Sequence, residues 1–178
     1  AHAGVSKATV SLVLRESPQI PDATKARVRG SMEAVGYVYN RKAGELRGNS
    51  SNAIGVVIND LMNPFFAEVL VGIERKLVDA GYVVLMAHTQ EDVALQDKVL
   101  QSMREQNVAG LMLCPALNTS RTLLKTIESW GIPLTVFVRN LGPGGYDFAG
   151  GDSEQGVFLA TTHLLNTGHK KVGFLGGA

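Results

Sequence analysis

A chain of 178 residues, 45% hydrophobic and 19% charged, has the apolar content to bury a core, which excludes a disordered tail; its length suits one domain, or one with a small appendage. No run approaches the ~18 consecutive apolar residues of a membrane-spanning helix, and the opening AHAGVSKATV lacks the basic-then-apolar pattern of a secretory signal. The single cysteine, Cys114, supports neither an internal disulfide nor a structural metal site, so a cytoplasmic protein without membrane association is the expectation. The net charge of +1 conceals an asymmetry. Residues 1–52 carry eight Lys/Arg against four acids, a net +4, and the remainder nine against twelve, a net −3. A basic head on a mildly acidic body suits a polyanionic partner.

The head reads as helical. Gly4 suits a turn, Ser6 is a good N-cap for a helix over Lys7–Leu14, and SPQIPD is a loop before a second helix from about Asp22 to Val35, ended by Gly36. Val28, Met32 and Val35 form the predicted buried stripe of that second helix. Residues 37–53 are polar and rich in Gly, Asn and Ser, the chemistry of a linker, with one helix-compatible piece at Arg41–Leu46. From Ile54 onward, apolar runs at 54–58, 82–87, 110–114, 132–138 and 171–177 read as strands. Between the first two, Phe66, Leu70, Ile73 and Leu77 fall at helical spacing; further helices fit Asp92–Gln106, Ser120–Trp130 and Glu154–Thr167. Continuous apolar strands alternating with helices predict an α/β fold with an open, doubly wound parallel sheet, its ligands beyond the carboxyl ends of the strands.

Catalytic chemistry is poorly represented. The four histidines are scattered without metal-ligand spacing, no GxxxxGK[ST] occurs, and the first strand runs into NDLMNP rather than GxGxxG. The glycines at 142–145 and 150–151 read as tight turns. No catalytic, metal or cofactor site is predicted. The head is more informative: a helix–turn–helix lays a short second helix in the major groove, braced by the first across a turn. Here Gly4 would serve the turn, Val10 and Leu14 the inward face, and Lys7, Ala8, Ser11 and Leu12 the outward one.

The segments AGVSKATVSLVL, TKARV, AVGYVYN, IGVVINDLMNPFFAEVLVGIE, AGLMLCPA, GIPLTVFVRN and HLLNTGHKKVGFLGG, in this order along the chain, strongly resemble the lactose-repressor/galactose-repressor (LacI/GalR) family of bacterial transcription regulators. The resemblance implies a helix-turn-helix DNA-binding headpiece at 1–38, a hinge at 39–53, and at 54–178 the first subdomain of a core of the periplasmic sugar-binding-protein type. It implies a homodimer, possible as a tetramer too, that binds palindromic operator DNA and answers to a small-molecule effector such as a sugar or nucleoside. It further implies truncation at both ends, because the family's first helix ordinarily starts before Ala1 and its core continues past Ala178.

Carried over position by position, the family's base-reading residues fall on Lys7, Ala8 and Leu12, and its phosphate-holding ones on Ser6, Thr9, Ser11, Arg15 and Thr24. Lys7 can donate to guanine O6 and N7, whereas Ala8 and Leu12 offer apolar contact to a thymine methyl; packing on the headpiece is the other reading of Leu12. In the hinge, Leu46 matches a leucine wedged into the central minor groove and Arg47 its basic neighbour, while Tyr39 stands in place of a proline and Gly44 in place of a helix former. The effector wall maps to Asp60, Asn63, Phe65, Phe66, Cys114, Arg139 and Asp152, with Val138 where an acid is frequent. Three alternatives stay open here: Phe66 as core, Cys114 as an inert buried thiol, and Arg139 paired with Asp152 or Asp147. The rival function is a small-molecule-binding protein without a DNA role.

Overall fold

A computed structural model describes residues 2–37 and 51–176, and the chain divides into two compact units, Ala1–Asn49 and Ser50–Ala178. In the first unit, α1 (Lys7–Leu14) and α2 (Asp22–Ala34) pack on each other. Gly4, at φ 62°, makes the turn into α1, and the Ser6 hydroxyl accepts from Thr9 N–H at 3.1 Å, occupying one of the free donors of the first turn. Helix α2 ends as Gly36 enters the left-handed region; Tyr37 N–H reaches Met32 O (2.9 Å) and Gly36 N–H reaches Glu33 O (3.1 Å), a Schellman closure. The fully buried pair is Val13 and Val28; the expected inward residues Val10 and Leu14 are only half-buried, and Val35 is 55% exposed. Val35 is the C-cap of α2, beyond its last helical residue, so the predicted stripe is one residue too long.

The second unit runs β1 (Ala53–Ile58), α3 (Pro64–Asp79), β2 (Val83–His88), α4 (Val93–Glu105), β3 (Gly110–Leu113), α5 (Thr122–Ser129), β4 (Leu134–Phe137), β5 (Asp147–Ala149) and α6 (Ser153–Asn166). All pairings are parallel, in the order β2-β1-β3-β4-β5. Alternate strand residues feed two cores. Val57, Leu111, Leu113, Leu134 and Val136 face Leu100 and Met103 of α4 and Leu124 and Ile127 of α5. Val56, Ile58, Cys114 and Phe137 face Phe66, Val69, Leu70 and Ile73 of α3. Burial on both faces is why these strands read as unbroken apolar runs.

One strand assignment is corrected. The fifth strand is Asp147–Ala149, paired with β4, and not the apolar run at 171–177, of which 171–176 forms no ladder. Phe174 and Leu175 there are 80% and 99% exposed. A strand exists only when a neighbour takes up its backbone groups, and among the described residues none pairs with this segment.

Candidate functional site

In the first unit, the outward surface of α1 presents Ser6, Lys7, Ala8 and Arg15 exposed, with Thr9, Ser11, Leu12 and, on α2, Thr24 half-buried. Leu12 is thus partly packed within this unit. Two cations are engaged within the unit: Arg29 pairs with Glu16, and Lys25 lies 3.7 Å from Asp22. Lys7, Arg15 and Arg27 make no ion pair among the described residues; Lys7 stands in the first turn of α1, beside the capped N-terminus where anions are favoured, whereas Arg15 is the C-cap of that helix and Arg27 lies on α2. Leu46 and Arg47, with Tyr39 and Gly44, lie outside the described residues.

In the second unit, β1 is the point where strand order reverses, β2 lying on one side of it and β3 on the other. The carboxyl ends of β1 and β3 therefore open the crevice in which doubly wound sheets bind ligands. The β1 end carries Asp60, whose Oδ1 accepts from Met62 N–H (2.8 Å), and Asn63, which caps α3 through Phe65 N–H (3.1 Å) ahead of Pro64 at the first helical position. Phe65 is 49% exposed and meets Phe66 edge to face, centroids 5.1 Å apart. Phe66 belongs to the α3 core, so the aromatic surface on offer is that of Phe65. Asp152 is exposed and caps α6 through Gln155 N–H (2.9 Å). Beside these residues, a cavity of about 350 Å³ runs between α3 and the ends of β4 and β5, lined by Phe65, Ile73, Met112, Phe137, Val138 and Ser153, among others.

Arg139 does not pair with Asp152 or Asp147. Its guanidinium forms a two-toothed bridge to Glu91, Nη2 to Oε1 at 3.1 Å and Nη1 to Oε2 at 3.2 Å, and Nη1 also donates to Pro115 O. Glu91 completes its acceptor set with Leu117 N–H at 2.6 Å and the Asn59 amide at 2.5 Å. Burial raises the Glu91 carboxyl, and Arg139, the Leu117 N–H and Asn59 together outweigh it, holding the group below its ordinary 4.5. Cys114 is fully buried, its Sγ 3.6 Å from Asn59 Oδ1; burial pushes the thiol up to about 11, against the pull of Arg139. It presents no surface to the crevice.

Sequence reading missed Glu91 and Asn59. The signal that could have found them was their place just after apolar runs, the positions from which strand ends project. Backbone strain marks the same cluster: Gln90, Glu91 and Val138 have φ of 54°, 61° and 64°. For the β-branched Val138 this is a costly conformation, and with Arg139 N–H donating to Phe137 O at 2.7 Å it makes a γ-turn of the rarer, strained sense. Among the described residues, no group of three or more His, Cys, Asp or Glu is placed to hold a metal, and no helix is long and apolar enough to cross a membrane.

Residues 51–178 match the family model described as periplasmic binding proteins and sugar binding domain of LacI family, and residues 1–40 that of bacterial regulatory proteins, lacI family. The chain is 35% identical over 175 residues to the maltose regulon regulatory protein MalI of Escherichia coli (strain K12), covering 98% of this chain and 51% of that protein. It is 34% identical over 178 residues to the HTH-type transcriptional repressor PurR of Aliivibrio salmonicida (strain LFI1238), covering 98% of this chain and 53% of the relative. The crystal structure of a LacI-family transcriptional regulator from Silicibacter pomeroyi superposes with a TM-score of 0.76 at 30% identity, covering 96% of this chain and 51% of that one. The chain thus spans about half the length of these relatives. With a helical head and a doubly wound sheet each matched by its own model, the chain belongs to the LacI family of bacterial regulatory proteins.

Proposed function

We propose that this chain carries the DNA-reading head and one wall of the effector site of a ligand-responsive, sequence-specific transcription regulator, acting as a repressor in the cytoplasm and catalysing no reaction. Residues 1–38 are the headpiece, 39–53 the hinge, and 54–178 the first subdomain of the effector core. The observation that carries this reading is helix α1, capped by Ser6, with Lys7, Ala8 and Arg15 exposed and with Lys7 and Arg15 unpaired among the described residues, in a unit of its own. Lys7, Ala8 and Leu12 read bases; Ser6, Thr9, Ser11, Arg15 and Thr24 hold phosphates; Leu46 and Arg47 act at the minor groove. Asp60, Asn63, Phe65 and Asp152 face a small-molecule effector, with Phe66, Cys114 and Arg139 behind or beside them. The regulator is a homodimer: β2 is a sheet edge with Val83 and Met86 half-exposed, and Val71 and Val78 of α3 are more than half exposed, an apolar area suited to a second copy.

Selection from random DNA tests the reading. A two-fold dimer returns a palindromic site, and its affinity falls with salt with a log–log slope steeper than about −4. An asymmetric site, or affinity indifferent to salt, overturns it. Complete absence of DNA binding leaves the small-molecule-binding protein in its place.

A further inference from the structure

Glu91 belongs to no motif, yet its carboxylate accepts from three other strand ends: Asn59 after β1, Leu117 after β3 and Arg139 after β4. An ionised carboxyl offers about four acceptor positions, and here four N–H donations occupy them. Within four residues of the ends of the five strands, Arg139 is the single Lys or Arg, against the carboxylates of Asp60, Glu91, Asp92 and Asp152. Arg139 is therefore the only Lys or Arg side chain among these residues that could pair with an anion, and its fork is already closed on Glu91. Both side chains retain 32% of their exposure, so the pair at the strand ends is open to solvent and not sealed in the core. The left-handed backbone at Glu91 and at Val138, the residue before Arg139, aims the two side chains at each other.

We propose that Glu91 is a specificity-determining residue of the effector wall: by occupying the Arg139 guanidinium, it denies the crevice an anion-binding cation and restricts this wall to uncharged or cationic ligands. The inference rests on the reading of the strand ends as an effector wall, and it gives Glu91 a role in selection beyond joining loops. Removing the charge while keeping the shape, Glu91→Gln, releases a guanidinium into a site that then accepts anions, because a planar fork matches phosphate or carboxylate oxygens.

The test reads Arg139 directly. In the ¹⁵N-labelled chain, the Nε–H resonance of Arg139, assigned by its loss in Arg139→Lys, is followed during titration with inorganic phosphate against sodium chloride of matched ionic strength. The expected result is no phosphate-specific movement in the wild-type chain and saturable movement in Glu91→Gln. Equal movement in both, or none in Glu91→Gln, overturns the proposal. Backbone amide shifts report whether Glu91→Gln keeps its fold. Should it not, modification by phenylglyoxal decides on the wild-type chain: Arg139 reacts about tenfold or more slowly than exposed Arg15 if the pair must open first, and equal rates overturn the proposal. Neither measurement uses DNA or an effector. Failure of the effector-wall reading, seen as no ligand altering operator binding, is thus distinct from failure here.

Discussion

Val138→Asn tests whether the turn at the end of β4 stores strain. Val138 sits at φ 64° and is 43% exposed. An L-residue in the left-handed region costs about 1–2 kcal/mol, and Asn tolerates that region far better than a β-branched residue. Against this relief stands the lost burial. Fully burying a valine is worth about 1.5 kcal/mol at the lower end of the range, so a little over half of it is roughly 0.9 kcal/mol. The net expectation is a change between about zero and +1 kcal/mol in favour of the variant. Val71→Asn is the control: Val71 is 55% exposed, in the middle of α3, where Val and Asn have similar helix propensity. That variant loses roughly 0.7 kcal/mol, the burial alone. Urea unfolding at unchanged slope measures both. The same exchange at similar exposure then differs by about 1–2 kcal/mol because of backbone conformation alone. If Val138→Asn loses as much as Val71→Asn, the turn holds no strain, and the geometric account of how Arg139 is aimed fails with it.

The Glu91 carboxyl, held below its ordinary 4.5 in the folded chain, makes the folded state bind fewer protons than the unfolded one in that range. Its contribution is therefore fully present above 4.5 and is lost as pH falls through the lower folded value. Urea midpoints taken from neutrality to about pH 3 should fall more steeply for the wild-type chain than for Glu91→Gln. Cys114, pushed up to about 11 and buried, should resist iodoacetamide in the native chain and react promptly once unfolded; prompt native labelling at about pH 8 would place it at the surface. Gln96 is fully buried, accepting from Ala116 N–H (2.8 Å) and donating to Thr119 Oγ1 (3.1 Å), so Gln96→Ala strands the Ala116 donor and costs about 1–3 kcal/mol in chemical denaturation. Lys7→Ala should relax preference at one base position per half-site by about 1–3 kcal/mol in competition binding, whereas a uniform loss across sequences would reassign Lys7 to phosphate.

What could be read from residues alone was whatever local chemistry and burial write into neighbouring positions. Ser6 and Asp92 announce helix starts because each carries an acceptor that reaches backbone N–H groups within three residues; Asn63 and Asp152, which cap α3 and α6 in the same way, emerged as caps only in the fold. Strands β1, β3 and β4 announce themselves because helices on both faces of the sheet make every side chain in them apolar except Thr135. Strand β5 has no such mark: it is three residues long, exposed and at the sheet edge. The run at 171–176 has the mark without a partner strand among the described residues, because hydrophobicity reports a preference for burial and not who supplies it.

The seven residues that the family resemblance maps to an effector wall include neither Glu91 nor Asn59, which the fold brings to the same strand ends. Asp60, Asn63 and Asp152, carried over from the resemblance, each accept a local backbone N–H in the fold. The group that draws the strand ends together is Glu91, 48 residues from Arg139 and 32 from Asn59. No window of sequence contains that pairing. It exists because strand order β2-β1-β3-β4 sets four loops side by side, and because the left-handed turns at Glu91 and Val138 point the carboxylate and the guanidinium across them. Element type and the family pattern were encoded residue by residue; which charge meets which was decided by crossover topology, since electrostatic partners are chosen by distance in space, which only the assembled sheet defines.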